Sequence, residues 1–405
     1  MHSALYILHF LGFFLPISGV LKKMRTKAVL LSLIITFVSV LCACGANTTP
    51  SGTPNDTINP IADAGFAEPS FVDYVITRLL YGTLNSDEQL FYRHFYNMVF
   101  SHPKYVAIPS GLDDDSVQKV FTYLKYDNPH VLCLSNTYTI ITYGSARYIC
   151  PVYAHTKSTC EEYTDTLITK AKSMVAETKG TGNEYNRELY LHDTLLKFCS
   201  YDSSLTQSDA YSALINGKSM CTGYSMALKL LLDICSVSSG VVTGTATTKN
   251  GTDTHMWLCA EIDGRWYHID PTWDDTAGDP NGNAVHIWFN VTTEEIEDTH
   301  SDFTLPKGTV CKSKQSNYYY KNNLICDGDN NAAIITKALK AAYDSGSDSA
   351  EIKFSDEGDL TLTATELFED GSINAYVEHT GYADGIIVRH SEVASPSVML
   401  IYITR

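Results

Sequence analysis

Hydrophobic and polar positions recur along this chain with two periods, and the changes of period mark its elements. Over 71–101 the apolar residues Val75, Leu79, Leu80 and Leu84, then Phe91, Phe95, Met98 and Val99, fall at helical spacing. A break near Gly82 and Asn85 predicts two helices there. Stretches rich in Tyr, Val, Ile and Thr follow at 105–108, 131–134, 138–143 and 148–153, and their alternation predicts strands. Helical spacing returns over 160–178, stops at Gly180 and Gly182, and resumes over 186–198. Past a central stretch at 201–275, the segments 286–297 and 303–320 read as a continuation of one domain. The last part predicts a helix at 332–343 and strands at 351–354, 373–378, 385–389 and 398–403. No period of a repeat protein recurs.

One apolar run stands apart. Lys22, Lys23, Arg25 and Lys27 precede sixteen uncharged residues, 28–43, which is the basic and apolar order of a secretory signal and is short for a membrane span. Leu41-Cys42-Ala43-Cys44-Gly45 follows and resembles a bacterial lipoprotein cleavage site, with Cys44 as the lipidated residue because small Ala43 precedes it. Met24, directly before Arg25 and close to Lys27, is the expected start of translation. The alternative is a helical hairpin with a first span at 1–21, which Pro16 and its short length disfavour. The Thr-, Pro- and Asn-rich segment at 46–70 suits a flexible tether.

Composition narrows the function classes. With 405 residues, 44% of them apolar, the chain can bury two or three cores, so wholesale disorder is excluded. A net charge of −17 repels phosphate backbones and disfavours nucleic acid as a partner. Removing 1–43 takes away four basic and no acidic residues and leaves −21. Of eleven cysteines, nine remain beyond Cys42 and Cys44; no C-x-x-C pair or zinc-finger spacing occurs, so no metal or cofactor is expected.

Chemistry concentrates in the central stretch. Cys221 precedes a helical face of Tyr224, Ala227, Leu228, Leu231 and Leu232, which puts it at a helix N-terminus. There the helix dipole and free N–H groups favour thiolate and can support an oxyanion. His255 opens a predicted strand, Asp263-Gly264 is a two-residue hairpin turn, and 265–270 returns. That turn pairs Ile262 with Arg265, so His255 faces Thr272 and Asp270 is diagonal to His255 on one sheet face, within side-chain reach. Alone, Cys221 reads as a buried apolar residue and Asp270 as a turn former before Pro271. Together they are a nucleophile, a base and an orienter, as acyl transfer requires. Rival motifs fail: Ser212 stands at the first glycine of a P-loop, Ser225 falls inside the helix, and Ala332 and Ala338 replace the Gly and Glu of an EF-hand.

The blocks Leu191-His192-Asp193, Tyr201-Asp202, 213–224, His255-Met256-Trp257 and 263–275 resemble, in order and spacing, the bacterial transglutaminase-like superfamily over about 190–300. The resemblance implies a papain-like fold with Cys221 as nucleophile, His255 as base and Asp270 as orienter. Two positions depart from the usual pattern, Leu258 where the family has Asn and Met220 where it has Val.

The expected fold class is α+β, with a transglutaminase-like, papain-like core. The expected organisation is a signal segment at 1–43, a tether at 44–70, an N-terminal helical and stranded region at 71–185, a catalytic domain at 186–325 and a small C-terminal α/β domain at 329–405. The expected function is a surface-anchored thiol enzyme acting on peptide or side-chain amides through an acyl-enzyme, hydrolysis favoured. The alternatives are a silent binding module for cell-wall or surface proteins and a protein-crosslinking transglutaminase. The expected partners are a peptide or protein substrate, cell-wall material among them, and the membrane through a lipid on Cys44. The expected location is extracytoplasmic.

Overall fold

The computed structural model describes residues 74, 75, 77–276, 282–382 and 386–404; the leader, Cys44 and the tether at 44–70 lie outside them. No helix among the described residues is long and apolar enough to cross a membrane.

Helix α1 (Ser86–Val99) begins with a capping box: Asn85 accepts from the N–H groups of Asp87 and Glu88, and the Glu88 carboxylate accepts from Asn85 N–H. Strand β1 (Val106–Ile108), helix α2 (Asp114–Asp127) and strands β2 (Leu134–Tyr143) and β3 (Ala146–Tyr153) complete this region, as an antiparallel sheet in the order β1-β3-β2. Phe91, Phe95, Val117, Phe121, Leu124 and Ile149 fill its core. Helix α2 is absent from the sequence reading, although Val117, Val120, Phe121 and Leu124 carry its period and Asp113 caps it. The helix expected near 75–84 reduces to a 3-10 turn at Tyr81–Thr83. Buried Asp127 explains this, because its carboxylate takes the N–H groups of Leu80 (3.2 Å) and Tyr81 (2.8 Å) and pins the turn.

The central region runs through helices α3 (Lys157–Ala176) and α4 (Glu184–Phe198), the parallel pair β4 (Ser200–Tyr201) and β5 (Lys218–Ser219), and helix α5 (Cys221–Ile234). Strands β6 (Ser239–Thr248), β7 (Gly251–Ile262) and β8 (Arg265–Ile269), helices α6 (Pro271–Thr276) and α7 (Thr293–Ile296) and strand β9 (His300–Ser301) follow. The sheet is antiparallel in the order β8-β7-β6-β9. Alternation along β7 sorts its side chains between two cores. Met256, Leu258, Ala260 and Ile262 pack with α3, α4 and α5, whereas Trp257 and Cys259 join the core on the other face. Leu258, where the resemblance implies an Asn, is thus an apolar core residue on the face opposite His255.

Helix α8 (Tyr318–Asn322) leads into β10 (Ile325–Cys326), α9 (Asn331–Ser345), β11 (Ser349–Phe354), α10 (Glu357–Ala364), α11 (Ile373–Thr380), β12 (Ile387–Val393) and β13 (Val398–Thr404). The sheet order is β10-β11-β13-β12, with β10 and β11 parallel. Its apolar face shares a core with Trp257, Ile287 and Trp288. The strand expected at 373–378 is helical instead. Its buried residues Ile373, Val377 and Thr380 are spaced four and three apart, which is the helical period.

Candidate active site

The hairpin fixes the register of the site. Asp263 and Gly264 take φ of 51° and 74°, the left-handed pair of a two-residue turn, and Ile262 pairs with Arg265 as the sequence predicts. Pairing runs to Leu258 with Ile269 and then stops, because Asp270 and Pro271 turn the chain into α6. The edge of β7 beyond Leu258 is thereby open, and the start of α5 docks on it. Ser225 Oγ donates to Met256 O at 3.0 Å, and the Cys221 sulfur accepts from Met256 N–H.

Cys221 is the first residue of α5 and is partly exposed. Gly223 and Tyr224 already donate to Met220 O, so the first N–H groups of the helix, those of Cys221 and Thr222, are the ones without a carbonyl in their own turn. His255 Nε2 lies 2.6 Å from Asp270 Oδ2, which leaves Nδ1 for the Cys221 thiol, to which the ring is hydrogen-bonded. The three predicted residues therefore meet in one chain of contacts. The diagonal placement of Asp270 and His255 is the one the turn dictates.

Each charge in this chain supports its neighbour. Burial alone would raise the Cys221 thiol, but the hydrogen bond and charge of His255 and the Met256 N–H bring it below its ordinary value. Burial likewise opposes an imidazolium at His255, yet Asp270 and the adjacent sulfur raise it to about 10. Burial also opposes the Asp270 carboxylate, and the facing His255 and His300 hold it well below the usual range. The arrangement favours a thiolate and imidazolium pair, the activated form of a cysteine nucleophile.

Sequence reasoning missed His300. From β9 its Nε2 sits 3.1 Å from Asp270 Oδ2, while Asp270 Oδ1 accepts from the N–H groups of Thr272 (3.0 Å) and Trp273 (3.2 Å). All of the carboxylate is engaged and its orientation is fixed. Trp273, Trp257 and Trp288 surround the His300 ring at 4.6, 4.8 and 5.4 Å and wall off the acid from water. Nothing local in the sequence marks His300, which lies 30 residues after Asp270. His268 is a supporting residue: it accepts from Trp257 Nε1 at 3.0 Å, and burial pushes it down to about 3, so it is neutral. Nine cysteines in the described residues are free thiols.

The transglutaminase-like superfamily profile matches residues 169–271, which include Cys221, His255 and Asp270. No curated protein matches the chain. Among solved structures, a candidate cysteine protease from Cytophaga hutchinsonii is 16% identical with a TM-score of 0.24, covering 34% of this chain and 61% of its own. A TGase is 15% identical with a TM-score of 0.25, covering 40% and 48%. A candidate protease from Parabacteroides distasonis is 12% identical with a TM-score of 0.21, covering 33% and 35%. The chain thus spans about three fifths or less of the length of each. Residues 169–271 form a transglutaminase-like superfamily domain within a mixed α and β chain.

Proposed function

We propose that this protein is a thiol hydrolase of peptide or side-chain amides that works through an acyl-enzyme on Cys221. The observation that carries the reading is the continuous contact from the Cys221 sulfur through His255 to Asp270, with His255 Nε2 at 2.6 Å from the acid. The Cys221 thiolate attacks the amide carbon, and the oxyanion forms beside the first N–H groups of α5. The His255 imidazolium then protonates the leaving amine, which departs as the C–N bond breaks. Neutral His255 next takes a proton from water, hydroxide displaces the sulfur, and the free acid leaves with the thiolate and imidazolium restored. Water is in vast excess and Cys221 is partly exposed, which supports hydrolysis over transfer to an amine.

We also propose an extracytoplasmic location, with the mature chain beginning at lipidated Cys44. The support is the basic and apolar order of 22–43 and the small residue before Cys44. Mass spectrometry of the cellular protein reads the mature N-terminus directly. An unmodified Cys44 with 1–43 still attached in the membrane would show that the leader is a span and contradict the lipid anchor.

The test of activity exposes the protein to peptide amides and cell-surface fractions and looks for an acyl adduct on Cys221 by mass spectrometry. Free acid as the product, even with added primary amine, is expected, and Cys221→Ala abolishes turnover while keeping cooperative unfolding. A dominant amine adduct makes the protein a transglutaminase. Absence of any adduct favours a binding module.

A further inference from the structure

A second cluster of titratable side chains lies outside the site already described. His192 and His286 come from α4 and from the segment before α7, and their side chains are 0% and 6% exposed. Each has one ring nitrogen held by a carboxylate of low exposure. His192 Nε2 is 3.1 Å from Asp274 Oδ2, and His286 Nδ1 is 2.7 Å from Glu351 Oε1. The opposite nitrogens, His192 Nδ1 and His286 Nε2, converge on one atom, Asp193 Oδ1, at 3.1 and 2.9 Å. These three atoms all lie within 4.8 Å of one another.

Each ring thus has a carboxylate behind it and its other nitrogen beside Asp193 Oδ1, so the three near atoms form one set of ligand atoms that a cation can occupy. Each ring then keeps one N–H for its outer carboxylate and turns a lone pair inward, which is the usual outer support of a metal-bound histidine. We propose that His192 Nδ1, Asp193 Oδ1 and His286 Nε2 bind one zinc ion, with Asp274 and Glu351 orienting the two rings. Two imidazoles and one carboxylate suit zinc, and tetrahedral ligands at about 2.05 Å stand about 3.3 Å apart. The two distances to Asp193 Oδ1 approach that spacing. Asp193 is the most exposed of the three, at 26%, and gives the ion and a water ligand their way in.

The site ties four parts of the fold together. His192 and Asp193 belong to α4, Asp274 to α6, His286 to the loop before α7 and Glu351 to β11. Asp274 lies one helical turn from Asp270, and its other oxygen accepts from Trp288 N–H at 2.8 Å. Zinc therefore steadies the helix that follows Asp270. Glu351 also accepts from Tyr319 hydroxyl at 2.8 Å, which brings α8 into the same network.

The test uses the full chain, stripped with a chelator and dialysed against zinc alone or cobalt(II) alone. The expected result is one zinc per chain and a higher unfolding temperature. Asp193→Asn and His286→Gln each weaken zinc affinity at least about tenfold, and Asp274→Asn weakens it about ten- to a hundredfold. Cobalt gives the visible bands of a tetrahedral site without a thiolate band in the near ultraviolet, a readout that needs no variant to fold. Alkylation of Cys221 continues at one equivalent of zinc. The proposal is overturned by absence of stoichiometric zinc, or by zinc binding that Asp193→Asn leaves unchanged. A thiolate band overturns it by placing the ion on His102, Cys133 and Cys160, and a block of Cys221 alkylation does so by placing it on His255, Asp270 and His300.

Discussion

Gly223 shows how tightly a single residue sets the position of Cys221. A Cβ at Gly223 would stand 1.8 Å from Ser219 Oγ and 2.6 Å from Asp209 O, and the second of these is backbone that cannot turn aside. The absent side chain is what lets the first turn of α5 press against the loop before it. Asp202 holds that loop through Ser204, Thr206 and Gln207. Gly223→Ala is expected to cost about 1–3 kcal/mol by overpacking and to slow Cys221 alkylation at the same time. Urea denaturation and alkylation rate check this together. A variant of unchanged stability and unchanged thiol reactivity would contradict the close-approach account.

At the scale of elements, the N-terminal region is fastened to α5 by buried charge. Lys229, on α5, is fully buried, with Nζ 2.7 Å from Asp233 Oδ2 and 2.9 Å from Thr77 O. Lys229→Met strands the buried Asp233 carboxylate, at an expected cost of about 3–5 kcal/mol in thermal or denaturant unfolding. The double variant Lys229→Met with Asp233→Leu recovers most of that loss, because no unpaired charge remains. A double variant as unstable as the single one would refute the ion-pair reading. The elements that carry Cys221, His255 and Asp270 were legible in the sequence because they rest on local chemistry. Asp263-Gly264 sets the hairpin, the hairpin sets the diagonal of Asp270, and the apolar face of 224–232 sets the helix behind Cys221. His300, His286 and Glu351 were illegible, since each meets its partner only through tertiary packing. The segment 373–378 was misread because six residues can present an apolar run with either period.

For the whole molecule, two buried groups act on stability against pH in opposite directions. Asp270 is held below the ordinary carboxylate value, so its contribution is present above about pH 3.9 and is lost as pH falls further. Glu188 is fully buried against Asn290, with Oε2 2.6 Å from the amide, and burial raises it to about 8. A raised acid works in the other direction: its contribution is complete below about pH 4.3 and is lost as pH rises through about 8. Glu188→Gln, which keeps the shape and removes the ionisation, should raise stability at pH 8 by about 1 kcal/mol or more relative to its effect at pH 5. Thermal unfolding at the two pH values checks the difference. An equal shift at both would place the titrating group elsewhere.

The proposed chemistry depends on one assembled unit, the Cys221 thiol with its pKa lowered by His255, which buried Asp270 orients. The most direct measurement of it is the rate of Cys221 alkylation as a function of pH, followed by peptide mass spectrometry so that the other cysteines are read separately. The expected profile for the native chain has its midpoint below about 8.5, the ordinary thiol value. In His255→Ala the midpoint moves upward, because burial of the thiol is then unopposed by the imidazolium. A native midpoint at or above the ordinary value, unmoved by His255→Ala, would show that Cys221 and His255 do not act together and would contradict the account.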